Sequence, residues 1–140
     1  MAVIYLPVES AKRELVGKCF LAARLASHGH EVVVFRADLF DRVGWPCPGL
    51  YIGKNVFRTE RPYSTHYLEQ MRSRGVTLWH LDEEGGIYFG DSEGEWKDRI
   101  VMRVARDTLR STDKLLVWGK WQEEAFAAQA GSAPIELVGS

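Results

Sequence analysis

The chain has 140 residues, 46% of them hydrophobic and 26% charged, the composition of a soluble globular protein with room for one ordinary domain rather than two. Lys and Arg (18) nearly balance Asp and Glu (19), for a formal net charge of -1, so nothing in the charge points to nucleic acid or to a polybasic membrane patch. The start, Met1 to Pro7, lacks a basic leader, and its apolar run is too short to cross a bilayer. The two cysteines, Cys19 and Cys47, fit reduced thiols better than a disulfide framework, and the expectation is a cytoplasmic protein.

The first strand is expected over Ala2 to Leu6, stopped by Pro7. The charged loop Glu9 to Glu14 leads to a helix over Leu15 to His28, where Leu15, Val16, Cys19, Phe20, Ala22, Ala23 and Ala26 mark a wide apolar face and Gly29 the stop. His28 and His30, flanking that glycine, are placed to bond the last helix carbonyls. With His66 and His80 they do not fall at zinc-site spacing with the cysteines.

Glu31 to Arg36, with Val32, Val33, Val34 and Phe35, is a second buried strand by its β-branched density. Strand, helix, strand makes a βαβ unit. A short helix over Ala37 to Val43 follows. Trp45 among prolines serves as a loop anchor in preference to a sugar-stacking platform. Leu50 to Ile52 is a third strand, ending in Gly53, Lys54 and Asn55.

A helix from Tyr63 to Arg74, stopped by Gly75, leads into a fourth strand, Val76 to Leu81. At the end of that strand stand Asp82, Glu83 and Glu84, then Gly85 and Gly86. Asp91 and its neighbours supply favourable charge ahead of a helix from Trp96 to Leu109. A fifth strand (Lys114 to Trp118), a helix (Lys120 to Ala130) and a sixth strand (Ile135 to Val138) complete the series, and the ending at Gly139-Ser140, with no closing helix, reads as an interruption.

Six alternations of strand and helix predict an open parallel Rossmann-like sheet with helices on both faces, residues 1–140 forming a single domain. In the strand order 3-2-1-4-5-6 the first and fourth strands are neighbours, and ligands bind in the crevice outside their carboxyl ends. That order brings Glu9, Arg13 and Glu14 beside Asp82 to Gly86. Clustered carboxylates can raise one another's pKa, a nearby Arg can grip an anion, and an ionised carboxylate can attack an anomeric carbon. The plain alternatives are an acidic turn that caps the next element and a salt bridge between loops. There is no Gly-x-Gly-x-x-Gly after the first strand, no P-loop and no Gly-x-Ser-x-Gly elbow, which removes the usual signatures of hydride transfer, NTP hydrolysis and α/β-hydrolases.

Four segments together resemble a known family: Tyr5-Leu6-Pro7-Val8-Glu9 with Arg13-Glu14-Leu15, Leu81 to Gly85, Val117-Trp118-Gly119 with Gln122, and Val138-Gly139-Ser140. The family is that of bacterial surface carbohydrate biosynthesis proteins, similar to the retaining Kdo transferases of capsule and lipopolysaccharide assembly. The resemblance implies the N-terminal, acceptor-side half of a GT-B glycosyltransferase, inactive without its C-terminal half. A glycan acceptor would bind here, and the nucleotide-sugar donor, CMP-Kdo, on the absent half. It further implies no essential metal and peripheral membrane association of the full enzyme. The family's nucleophile is an acid before a glycine, which matches Glu84 before Gly85. That pattern has Asp where this chain has Glu, so both Glu84 and Asp82 stand as nucleophile candidates, with Glu83 beside them. Glu9, Arg13, Glu14, Gly85, Gly86, Lys54 and Asn55 are the substrate-binding candidates. The reading from another class is a noncatalytic Rossmann-like binding or partner module. A receiver-type phosphoacceptor would need a Lys where the fifth strand ends in Trp118-Gly119.

Overall fold

The computed structural model describes residues 1–37, 39–54, 62–81, 91–104, 106, 109–129 and 131–139. Its elements in chain order are β1 (Val3–Val8), α1 (Ala11–Ser27), β2 (Glu31–Arg36), α2 (Leu39–Val43), β3 (Gly49–Gly53), α3 (Pro62–Ser73), β4 (Val76–Leu81), α4 (Glu93–Arg103), β5 (Lys114–Val117), α5 (Lys120–Ala127) and β6 (Ile135–Leu137). The strands form one open, all-parallel sheet in the order β2-β1-β3-β4-β5-β6. This is the Rossmann-like α/β class that the alternation predicts. The order differs from 3-2-1-4-5-6, because β3 pairs with β1 (Ile4 opposite Leu50, Tyr5 opposite Tyr51) and so occupies the place expected for β4. It also makes β2 an edge strand, whose valines are only half-buried instead of enclosed.

By packing, the chain divides into Met1–Ile52 with Tyr67–Thr77, and Gly53–His66 with Leu78–Ser140. In the first unit β1 runs on through Pro7, against expectation, and hydrogen-bond parity explains why. The carbonyls of Ala2 and Val8 accept from Glu31 and Ala37 on the β2 side, so even-numbered residues of β1 face β2 and odd-numbered ones face β3. Pro7 therefore turns its missing N–H toward β3, where the register ends at the Tyr5–Tyr51 pair, while the ladder with β2 runs on through Val8. Close approach on the same side selects Gly49. A Cβ there would stand 2.6 Å from the Val3 carbonyl oxygen and 2.7 Å from Tyr5 Cε2.

An aromatic cluster fills this unit's core. Tyr5, Phe35, Phe40, Trp45, Tyr51 and Tyr67 are all buried and meet mostly edge to face, as in Tyr5–Trp45 at 5.0 Å and 88°, the arrangement that the ring quadrupole favours. Trp45, 2% exposed, is thus a core anchor and not a sugar platform. α1 packs on β1 and β2 with a different face from the expected one. Lys18 is 3% exposed, whereas Val16 is 82% and Phe20 78% exposed. The inward stripe is Glu14, Lys18, Leu21, Ala22 and Leu25, in which the carbon stems of the two charged residues cover the sheet. Gly29, with φ of 82°, stops the helix, and His28 Nδ1 bonds the Arg24 carbonyl at 2.8 Å. His30 has no such bond, and its buried Nδ1 is unpartnered.

In the second unit, Asp113 is 2% exposed. Its two carboxylate oxygens accept from Leu78 N–H (3.0 Å) and Arg110 N–H (2.8 Å), which ties β4 to the turn that starts β5. α4 begins three residues before its predicted start and stops at Val104, its C-cap. Ser92 Oγ accepts from Glu95 N–H while Glu95 Oε2 accepts from Asp91 N–H at 2.6 Å. This near-reciprocal cap explains the early start and agrees with reading these acids as helix-terminal charge. Arg106 donates to the carbonyls of Phe126, Gln129 and Ala133. The guanidinium thus caps the end of α5 and holds the segment that enters β6. β6 is anchored by the ion pair of Lys114 and Glu136, and Lys114 also lies over the Trp79 ring at 4.8 Å.

Candidate functional site

β1 ends at Val8, and the next six residues carry three of the predicted site residues. The N-cap of α1 is Ser10, whose side chain makes no capping bond. Glu14 does that work instead, accepting from Glu9 N–H at 2.8 Å, with the Arg13 guanidinium 3.7 Å from its other oxygen. The structure therefore brings Glu9, Arg13 and Glu14 together. It gives Glu14, whose side chain is 10% exposed, the structural task of closing the β1–α1 turn. The exposed Glu9 lines an open, mostly apolar cleft of about 280 Å³ with Arg36, Val8, Leu15 and Phe35. One carboxylate and one guanidinium over an apolar floor can orient a small polar ligand that has an apolar face.

Lys54 directly follows β3 and is 8% exposed, far more enclosed than an ordinary surface lysine. Asn55 lies outside the described residues, as do Asp82, Glu83, Glu84, Gly85 and Gly86. What is described is the strand that delivers the acids. In β4, Val76, Leu78 and His80 are buried and alternate with the half-buried Thr77, Trp79 and Leu81. The Asp113 carboxylate fixes this strand at Leu78, three residues before its end. Sequence reasoning missed Asp113, although an acid at the foot of an apolar run, after Ser111-Thr112, is a signal for a side chain that bonds backbone amides.

The strand order corrects one expectation about the site. With β3 between β1 and β4, the winding reverses at β1 and β3, as in the 2-1-3-4-5 order of flavodoxin-like proteins, and the crevice rule points to the carboxyl ends of those two strands. The loop after β1 does not leave a strand adjacent to β4. The expected partnership of Glu9, Arg13 and Glu14 with the acidic loop thus loses the adjacency of β1 and β4 on which it rested, and Asp82 to Gly86 themselves lie outside the described residues.

At the end of β5, Trp118 N–H donates to Gln122 Oε1 at 3.1 Å, so the motif pair Trp118 and Gln122 is joined. Both cysteines are free thiols, and the Cys47 carbonyl and Sγ lie 2.9 and 3.1 Å from the Tyr5 hydroxyl. Among the described residues there is no group of three or more His, Cys, Asp or Glu side chains that could hold a metal ion. No described helix is long and apolar enough to cross a membrane. The class these features define is an open, parallel, Rossmann-like α/β fold. Compared with family models, curated proteins and solved structures, the chain matches none.

Proposed function

We propose that this chain is the acceptor-side half of a GT-B glycosyltransferase similar to retaining Kdo transferases, acting in bacterial surface polysaccharide assembly. The observation that supports this most is the position of β4. It is a pinned strand of a parallel sheet that ends at Leu81, directly before Asp82, Glu83 and Glu84, and strand carboxyl ends are where open α/β sheets bind their ligands.

In this reading the ionised Glu84, or Asp82, attacks the anomeric carbon of the donor sugar. A carboxylate oxygen forms the new bond as the nucleotide leaves with the electron pair of the old one. An acceptor hydroxyl then displaces the carboxylate, its proton passing to a neighbouring acid, so the anomeric configuration is retained. Glu9 and Arg36, at the cleft after β1, orient polar groups of the glycan, while Glu14 keeps that turn closed. The donor, CMP-Kdo, belongs to a C-terminal half, and the chain alone binds without turnover.

Calorimetric titration with CMP-Kdo, CMP and short Kdo-terminated glycans, on wild type and Glu84→Gln, tests this. The expected result is glycan binding that Glu84→Gln alters, with no nucleotide binding. No heat from any glycan would refute the acceptor role and favour a noncatalytic partner module.

A further inference from the structure

The turn between β5 and α5 holds buried donors that have no partner among the described residues. Gln122 is 1% exposed. Its Oε1 is fixed by Trp118 N–H, which settles the orientation of the carboxamide and leaves Nε2 as the donor end. Nε2 is buried without a partner, and so is the indole Nε1 of Trp118. Because Oε1 reaches back to the residue before the N-cap, Gly119, the carboxamide lies across the amino-terminal mouth of α5. Gly119 has no side chain with which to cap that mouth.

A buried donor left unmade costs about 1–3 kcal/mol, and an acceptor from outside the chain would satisfy the two that stand within this one five-residue turn. A helix amino terminus adds a partial positive charge, and Lys120 at the first helical position adds a full one. Glu123 also stands in that first turn and offsets part of this charge, while Glu93 is engaged elsewhere, accepting from Trp121 Nε1 at 3.2 Å and pairing with Lys97 at 2.9 Å.

We propose that the β5–α5 turn is an oxyanion site, binding a carboxylate or phosphate group through Gln122 Nε2, the Trp118 indole N–H and the first turn of α5. This goes beyond the glycosyltransferase reading and stands without it, since it needs neither Glu84 nor a sugar. One ligand oxygen accepts from the carboxamide and another from the indole, while the carboxamide oxygen keeps the turn closed.

The test is an NMR titration of the whole chain, following the Gln122 side-chain amide and the Trp118 indole resonances, with inorganic phosphate, the acidic sugar N-acetylneuraminate and neutral glucose. Both resonances are expected to move with at least one of the two anions and not with glucose. A response to phosphate alone assigns phosphate, and a response to the acidic sugar alone assigns carboxylate. Trp118→Phe, which removes only the indole donor, should weaken the binding about 5- to 10-fold, one hydrogen bond's worth. Gln122→Glu, which keeps an oxygen for Trp118 N–H, should abolish it. Three results would overturn the proposal: silence of the wild-type resonances to both anions, which would leave Nε2 bonded to an ordinary buried water; an equal response to glucose; or unchanged affinity in Trp118→Phe.

Discussion

Tyr5 gives the sharpest check on the packing of the first unit. Its ring is fully buried and its hydroxyl donates to the Cys47 carbonyl at 2.9 Å. Burial, and then the Cys47 thiol at 3.1 Å, pushes the phenol up to about 12 from 10.0. The folded state thus holds this proton where the unfolded chain has released it. Stability from the neutral phenol is fully present below pH 10 and is lost as pH rises from 10 to 12. Two pH units correspond to about 2–3 kcal/mol. Tyr5→Phe should cost about 1–2 kcal/mol at neutral pH, because the Cys47 carbonyl loses its donor, yet the variant is spared the alkaline loss. Urea unfolding of both proteins at stepped pH isolates the effect, since other tyrosines and lysines titrate alike in each. The stability gap should be flat to pH 10 and then close, with Phe becoming the more stable by pH 12. A gap that stays constant through that window would show that the hydroxyl is not buried against Cys47.

Two glycines should respond with opposite signs. Gly49→Ala drives a Cβ into the Val3 carbonyl and the Tyr5 ring and should destabilise by about 1–3 kcal/mol or more, whereas Gly17→Ala, in α1 with nothing within 4 Å of the new Cβ, should stabilise by about 0.5–1 kcal/mol. Thermal unfolding of the pair decides, and equal shifts would contradict the β1–β3 approach. Asp113→Ala leaves the amides of Leu78 and Arg110 without their acceptor and should cost roughly 2–4 kcal/mol; hydrogen exchange should quicken at Leu78 first. Glu93 is held below the usual carboxylate range by the hydrogen bond from Lys97 and then by the Trp121 indole, so its small contribution is present above that range and fades as pH falls through the lowered value. Lys97→Met should raise the Glu93 titration midpoint in a carboxylate NMR experiment, and an unmoved midpoint would break the assignment.

Local signals explain what was legible in the sequence. The β-branched run at Val32 to Val34 and the apolar runs at Val76 and Lys114 give β2, β4 and β5 to within a residue. Gly29 and Gly75 stop α1 and α3 in positive φ as expected. Which face of α1 is buried was not legible. The densest apolar arc contains Val16 and Phe20, yet both face water while Lys18 is buried. A hydrophobic pattern reports where apolar side chains lie, not which of them the fold covers. The roles of Asp113, Arg106 and Gln122 were not legible for a related reason. Each works by bonding backbone groups distant in sequence or across a turn, and no spacing rule marks such contacts.

Strand order bears most directly on the site. Short strands separated by helices carry no record of which neighbour each one pairs with. The deciding residue is Gly49, because only a residue without a Cβ lets that segment approach the Val3 carbonyl and the Tyr5 ring. Once β3 pairs with β1, the switch in winding moves to the carboxyl ends of those two strands. The charged turn after β1 and the acidic loop after β4 then leave strands that are not neighbours.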